Sequence, residues 1–282
     1  MAEERMALDY SKFDKFDCQV KEQILIITNK LIDGFNPIGW MQIKEMKDIL
    51  GQVRDDGDIR CVIWRSDGEF FTQIPPGFKI HPDKKEPIHP LNGLELAGPD
   101  IHQEGAYHMS IIKAILDVPQ PIIVCPFNAI GGLYTNMMLC CDFIIAADNA
   151  SFSDRHVASA MACGDGGAVL WPLVLGPQKA KQYLLGLEEI SAVDAERFGL
   201  ITKIVPHAEL DSEAWALAKR LASAPTMAIR FTKHAINRTI WQQMNYSWEF
   251  ADALQILTCF TDDFKERKDA QMEGRDPVYT GK

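Results

Sequence analysis

His156 and Asp165 share one stretch, FSDRHVASAMACGDGGAVLWP, which runs from Phe152 to Pro172. An imidazole can take up a proton near neutral pH, and a nearby carboxylate can fix its tautomer and stabilise the imidazolium that forms. Asp165 sits inside a glycine run, Gly164-Asp165-Gly166-Gly167, where the backbone can turn tightly enough for side chains to converge on one pocket. A base with its orienting acid points to proton-transfer chemistry. The spacing does not decide the matter alone. Asp-Gly is a common turn dipeptide, and a histidine taken at random is more often structural than catalytic.

The rest of the composition narrows the setting. The chain has 282 residues, 47% hydrophobic and 24% charged, which suits one large domain or one domain with a short appendage. A net charge of −10 with no basic stripe argues against a nucleic-acid partner. The seven cysteines are scattered, with no C-x-x-C spacing, and read as buried free thiols of a reducing compartment. The beginning, MAEERMALDYSKFDKFD, lacks the apolar core of a signal peptide, and no apolar run reaches membrane-spanning length. A cytoplasmic protein is expected, acting on a small molecule with no membrane partner. His81, His89, His102 and His108 fall in what reads as a solvated loop region without ligand spacing, so no metal site is expected.

The elements that must position the pair follow from periodicity. Phe16 to Asn29 reads as a hairpin, Trp40 to Val53 as a helix with an apolar stripe, and Arg60 to Trp64 as a buried strand. From the Pro75-Pro76 pair to Asp100 no periodicity is visible, and a long surface loop is predicted. A helix around Tyr107, Ile111, Ile112 and Ile115 precedes a strand Ile122–Val124 and a glycine turn Gly131-Gly132. A short helix through Met137 to Cys140 and a strand Phe143–Ala146 complete that part. This order predicts stacked units around a mostly parallel sheet. Further helices are predicted from Pro177 and from the Ser191 cap, a strand over Leu200–Val205, and helix throughout after Asp211. The division is a core over 1–206 and a helical region over 207–282. The stripe Trp241, Met244, Trp248 and Leu254 reads as a packing face.

Several fragments, taken in order, resemble the crotonase (enoyl-CoA hydratase/isomerase) superfamily over nearly the whole chain. They are Pro121-Ile122-Ile123, Gly131-Gly132, Cys141-Asp142-Phe143-Ile144-Ile145-Ala146-Ala147, Asn149-Ala150-Ser151-Phe152 and Leu175-Gly176-Pro177-Gln178-Lys179-Ala180. Phe198-Gly199-Leu200-Ile201, Val205-Pro206, Thr261–Glu266 and Arg275–Gly281 continue the match. The resemblance implies an α/β fold of repeated ββα units with a helical C-terminal region. It also implies a homotrimer or dimer of trimers, in which the C-terminal helices pack on a neighbour and help close the pocket.

The chemistry implied by the resemblance is stabilisation of an enolate or related oxyanion by two backbone N–H groups, which the family pattern assigns to Ile74 and Leu133. Preorganised dipoles of this kind act without reorganising as charge develops. Family members that hydrate enoyl thioesters use two glutamates; Asn136 and His156 stand at those positions. An amide cannot exchange a proton in the useful pH range, so two-carboxylate hydration is not expected. The usual Ala-Gly-Ala-Asp of the first oxyanion loop is replaced by Thr72-Gln73-Ile74-Pro75. The nearest likeness is to the β-diketone-cleaving branch that contains 6-oxocamphor hydrolase, which places a histidine and an aspartate where His156 and Asp165 stand. Substrate-pocket candidates are Tyr134, Asn136, Phe71 and Trp40. Expected is hydrolytic C–C cleavage without a cofactor. The alternatives are a hydratase or isomerase whose substrate carries CoA, and a non-catalytic subunit.

Overall fold

The computed structural model describes residues 8–31, 40–68 and 98–282; of Trp40 and of 98–106 it describes the backbone only. Strands β1 (Phe16–Lys21) and β2 (Ile24–Asn29) form the expected hairpin, followed by helix α1 (Trp40–Asp55) and strand β3 (Cys61–Ser66). The segment between β3 and α2, with Phe71, Ile74, His81 and His89, lies outside the described residues. Helix α2 spans Gly98–Asp117, so the last three residues of the predicted loop, and with them His102 and His108, belong to a helix.

Two sheets then alternate. Strand β4 (Ile122–Val124) joins the first sheet and β5 (Ala129–Gly131) the second, before helix α3 (Leu133–Leu139). Strand β6 (Phe143–Ala147) returns to the first sheet and β7 (Ser151–Ser153) to the second, before helix α4 (Gly167–Gly186). Strand β8 (Ile190–Ser191), helix α5 (Ala192–Arg197) and strand β9 (Lys203–Val205) complete the sheets. The first sheet has the order β1-β2-β3-β4-β6-β9 and is parallel except for β1 against β2; the second has the order β5-β7-β8. A strand in each sheet followed by a helix is the repeated ββα unit.

Because successive strand residues point to opposite faces, the first sheet separates two apolar layers. Leu25, Ile27, Val62, Trp64, Ile122, Val124, Ile144 and Ala146 face α1 to α4. Ile24, Cys61, Ile63, Ile123, Cys125, Ile145 and Val205 face helix α6 (Leu210–Ser223), which meets them with Ala214, Ala218 and Ala222. An alanine stripe lets the helix lie close to the strands.

Three predicted elements differ. Helix α4 is broken at Gly176 (φ 75°, ψ 158°): the predicted helix from Pro177 forms its second piece, and a first piece starting at Gly167 lies outside that prediction. Strand β9 covers only Lys203–Val205; Leu200 and Ile201 are buried outside it. Helix α7 (Thr226–Thr258) and helix α8 (Asp262–Glu273) fill the C-terminal part, but 274–282 is not helical. The Ser191 cap forms as expected, its hydroxyl accepting from the Asp194 N–H at 3.2 Å. Of the predicted stripe on α7, Met244 and Trp248 are buried, whereas Leu254 is 40% exposed.

A buried ion pair ties α7 to the first sheet. Lys233 Nζ lies 2.6 Å from Asp142 Oδ2 and 2.9 Å from the Gln120 carbonyl, while the Ile122 N–H donates to the same Asp142 oxygen at 2.7 Å. The carboxylate thus caps the start of β4 and holds α7 above it. Removing the cation leaves a largely buried carboxylate uncompensated, which costs about 3–5 kcal/mol. Lys233→Ala is expected to lower unfolding free energy by that amount in urea titration. A loss below about 1 kcal/mol would mean that the pair is not holding the helix.

Candidate active site

Strand β7 ends at Ser153, and the chain then makes a tight turn closed by Asp154. The Asp154 side chain accepts the His156 N–H at 3.0 Å, an Asx-type turn, and the same Oδ1 lies 2.8 Å from His156 Nδ1. The His156 carbonyl accepts from the Ser159 and Met161 N–H groups at 2.8 and 2.9 Å, so the backbone at the histidine is pinned from both sides. On the other edge of the ring, Nε2 lies 3.3 Å from Asp165 Oδ2. The structure therefore brings the sequence-predicted pair together. The carboxylate seated on Nδ1, however, is Asp154, which the sequence pattern does not single out.

Asp165 is itself held. Its Oδ1 accepts from Asn136 Nδ2 at 2.8 Å, and Asn136 Oδ1 accepts from Trp171 Nε1 at 3.1 Å. Helix α7 fixes the loop that carries it. The Gly164 N–H donates to Gln255 Oε1 at 2.7 Å and the Ala162 N–H to Thr258 Oγ1 at 3.1 Å. A Cβ on Gly164 would meet Gln255 Cβ at 2.5 Å and the Ala251 carbonyl at 2.7 Å, so glycine is required there by close approach. The glycine run serves helix packing as well as turning.

The cluster is buried: His156 is 8% exposed, Asp165 3% and Asp154 4%. Burial alone would depress the imidazole's pKa. The charges of Asp165 and Asp154 and their hydrogen bonds outweigh it, holding His156 well above the ordinary histidine value. Burial also pushes Asp252 up to about 6, with the Asp165 charge adding to the effect. His108, expected in a solvated loop, is buried on α2 instead. Burial lowers its pKa, the Asp165 charge opposes that, and His156 adds to it, which sets a second imidazole within electrostatic reach of the pair. The apolar spacing of Ile111, Ile112 and Ile115 on the same helix puts residue 108 on the inward face, and that was the available signal.

The other predicted residues distribute as follows. Asn136 is fully buried, and its amide is spent on Trp171 and Asp165 rather than on a pocket wall. Tyr134 is also buried, its hydroxyl accepting from Asn29 Nδ2 at 3.1 Å, while Trp64 Nε1 donates to Asn29 Oδ1 at 2.8 Å. Leu133 is the first residue of α3, where an N–H has no carbonyl four residues back within the helix. Gly132 before it adopts φ 57°, ψ −137°, a conformation that turns β5 into the helix and suits glycine. Ile74 and Phe71 lie outside the described residues, as does the Trp40 side chain.

Asp154, His156 and Cys163 offer ligand atoms within 4.8 Å of one another, a set of the kind that can hold a divalent ion. Their present state is different. Nδ1 is committed to Asp154, and burial together with the Asp154 charge pushes the Cys163 thiol up, away from the thiolate that a metal needs.

Residues 102–282 match the enoyl-CoA hydratase/isomerase family. The chain belongs to it. A crotonyl-CoA hydratase of Syntrophomonas wolfei is 27% identical over 274 residues, covering 96% of this chain and 99% of the relative. An enoyl-CoA hydratase structure from Mycobacterium avium subsp. paratuberculosis superposes with a TM-score of 0.78 at 22% identity, covering 95% of this chain and 99% of that one. A β-diketone hydrolase from Anabaena, bound to (S)-3-oxocyclohexyl acetic acid, gives 0.70 at 22% identity, covering 88% and 95%. The chain is thus a crotonase-superfamily enzyme, and its fold is that of the superfamily.

The electrostatics predict a sign for stability against pH. A histidine whose folded pKa is raised contributes stability that is fully present below its unfolded value, about 6.5, and is lost as pH rises through the folded value. The stability gap between wild type and His156→Gln in urea unfolding is therefore expected to be widest near pH 6 and to narrow as pH climbs. A gap that stays constant or widens over that range would contradict the reading.

Proposed function

We propose that the chain hydrolyses a carbon–carbon bond between the two carbonyls of a β-diketone, with His156 as the proton carrier. The observation that carries this reading is the commitment of Asn136. The position where hydrating relatives use a glutamate holds an amide, fully buried and bonded at both ends. One imidazole between two carboxylates takes the place of the two-carboxylate arrangement.

In its neutral form His156 takes a proton from water at Nε2, the nitrogen not committed to Asp154, as the water oxygen bonds to one carbonyl carbon. The alkoxide adduct collapses, the bond to the central carbon breaks, and its electron pair leaves as the enolate of the second carbonyl. The imidazolium returns its proton to that carbon. Diketone plus water gives a keto acid when the substrate is cyclic, and the second carbonyl is the electron sink, so no cofactor is required. The backbone N–H groups of Ile74 and Leu133 are the proposed oxyanion donors, each contributing about 3–4 kcal/mol to the transition state. Asp154 and Asp165 stabilise the imidazolium while it holds the proton. The keto acid bound to the Anabaena hydrolase is a product of the expected type and supports this substrate class. A homotrimer or dimer of trimers, as the resemblance implies, is part of the proposal.

A second reading, hydration or isomerisation of an acyl-CoA thioester, is favoured by the name of the crotonyl-CoA hydratase relative. Assaying cyclic 1,3-diketones beside crotonyl-CoA separates the two. Keto acid formation without crotonyl-CoA turnover is expected; the reverse pattern rejects the hydrolase. His156→Ala is expected to lower turnover roughly 100- to 10,000-fold with the fold intact. Because the neutral ring is the base and its pKa is raised, kcat/KM should climb with pH through a value above that of ordinary histidine. Asp154→Asn removes one of the charges responsible, and the rising limb should move to lower pH by about one unit or more. A limb that stays in place would exclude His156 as the base.

A further inference from the structure

We infer that Asn136, oriented by Trp171, is a positioning residue that holds Asp165 Oδ1 so that Oδ2 faces Nε2 of His156. The inference rests on the site described under the proposed function, but not on the identity of its substrate.

An indole N–H can only donate, so the end of the Asn136 amide that meets Trp171 Nε1 at 3.1 Å must be the oxygen. The amide nitrogen is thereby directed at Asp165, which it reaches at 2.8 Å. The chemistry of the partners fixes this orientation, with no choice left between the two amide flips. Trp171 and Asn136 are both fully buried, on α4 and α3, and water has no access to substitute for either bond. A carboxylate at position 136 would set an acceptor against an acceptor. Leucine, of nearly the same size, would remove the acceptor from the indole and the amide donor from Asp165 Oδ1.

Anchoring one oxygen determines how the other meets the imidazole. Without that anchor the carboxylate can rotate, Oδ2 moves away from Nε2, and its hold on the imidazolium weakens with distance. Other ionisable groups also act on the ring. Asp154 sits on Nδ1, with Cys163 beside that carboxylate. His108 of α2 acts on the ring directly, and Asp252 of α7 acts through its charge coupling to Asp165. None of these is altered by changing Asn136 or Trp171.

The test is the titration of His156 by 15N NMR of the imidazole, assigned by the signal lost in His156→Gln, in wild type, Asn136→Leu and Trp171→Phe. This readout needs no substrate, so it stands or falls separately from the hydrolase assay. The midpoint is expected to fall by about one pH unit in Asn136→Leu, and to fall by less in Trp171→Phe, where the amide remains but its orientation is released. A general loss of packing would lower stability without moving the midpoint. Trp171→Phe is the milder change and decides the matter if Asn136→Leu does not fold. A His156 midpoint unmoved in Trp171→Phe overturns the inference.

Discussion

An imidazole closed between two carboxylates in a buried site is the constraint on which the rest of this structure turns. Three ionisable groups are taken out of water within a few ångströms of one another, and their mutual geometry is what makes that tolerable. The surrounding elements serve the geometry. The turn after β7 seats Asp154 on Nδ1, α3 and α4 present the amide and indole behind Asp165, and α7 grips the glycine loop from outside. No single helix or strand carries the site.

The C-terminal helices therefore belong to the chemistry as much as to the packing. Lys233 anchors α7 to the edge of β4 and β6, and from that anchor the helix runs along to Gln255 and Thr258, which hold the loop around Asp165. Helix α8 adds Arg267, whose Nε donates to the Ala158 carbonyl at 3.1 Å, just after the histidine. A disturbance at the sheet end of α7 is thus connected by rigid elements to the position of the carboxylate. Helix α7 exposes Phe231 and Phe250, and the turn after it Phe260, apolar surface that a neighbouring subunit of the proposed oligomer would cover.

Much of this is legible in the residues. The unbroken apolar runs Ile24-Leu25-Ile26-Ile27 and Cys61-Val62-Ile63-Trp64 mark buried strands, and the Ser191 hydroxyl marks a helix start, because both signals are local. His156 and Asp165 can be paired because the family pattern supplies a contact that spacing does not. Asp154 escapes notice although it lies two residues from the histidine, since an Asx turn looks in sequence like any polar loop. His108 reads as loop because its neighbours toward the N-terminus are polar and rich in proline and glycine, although the spacing of Ile111, Ile112 and Ile115 carries the helical period back to it. The break at Gly176 separates the helix that periodicity marks, starting at Pro177, from the preceding one, which it does not mark. Asn136 is the plainest case. Its type excludes proton transfer at that position, but its partner Trp171 lies 35 residues away, and only packing of α3 on α4 brings them together.

The site sets a histidine between two acids and backs one of them with a buried amide. Shared ancestry fixes the scaffold; the groups placed on it decide what it does. The most direct measurement is therefore neutron diffraction from crystals grown at about pH 6, below the ordinary histidine value, which locates the protons on the His156 ring. The account predicts hydrogen on both Nδ1 and Nε2, each directed at its carboxylate. A ring carrying one proton at that pH, with the other nitrogen bare beside an ionised aspartate, would contradict it.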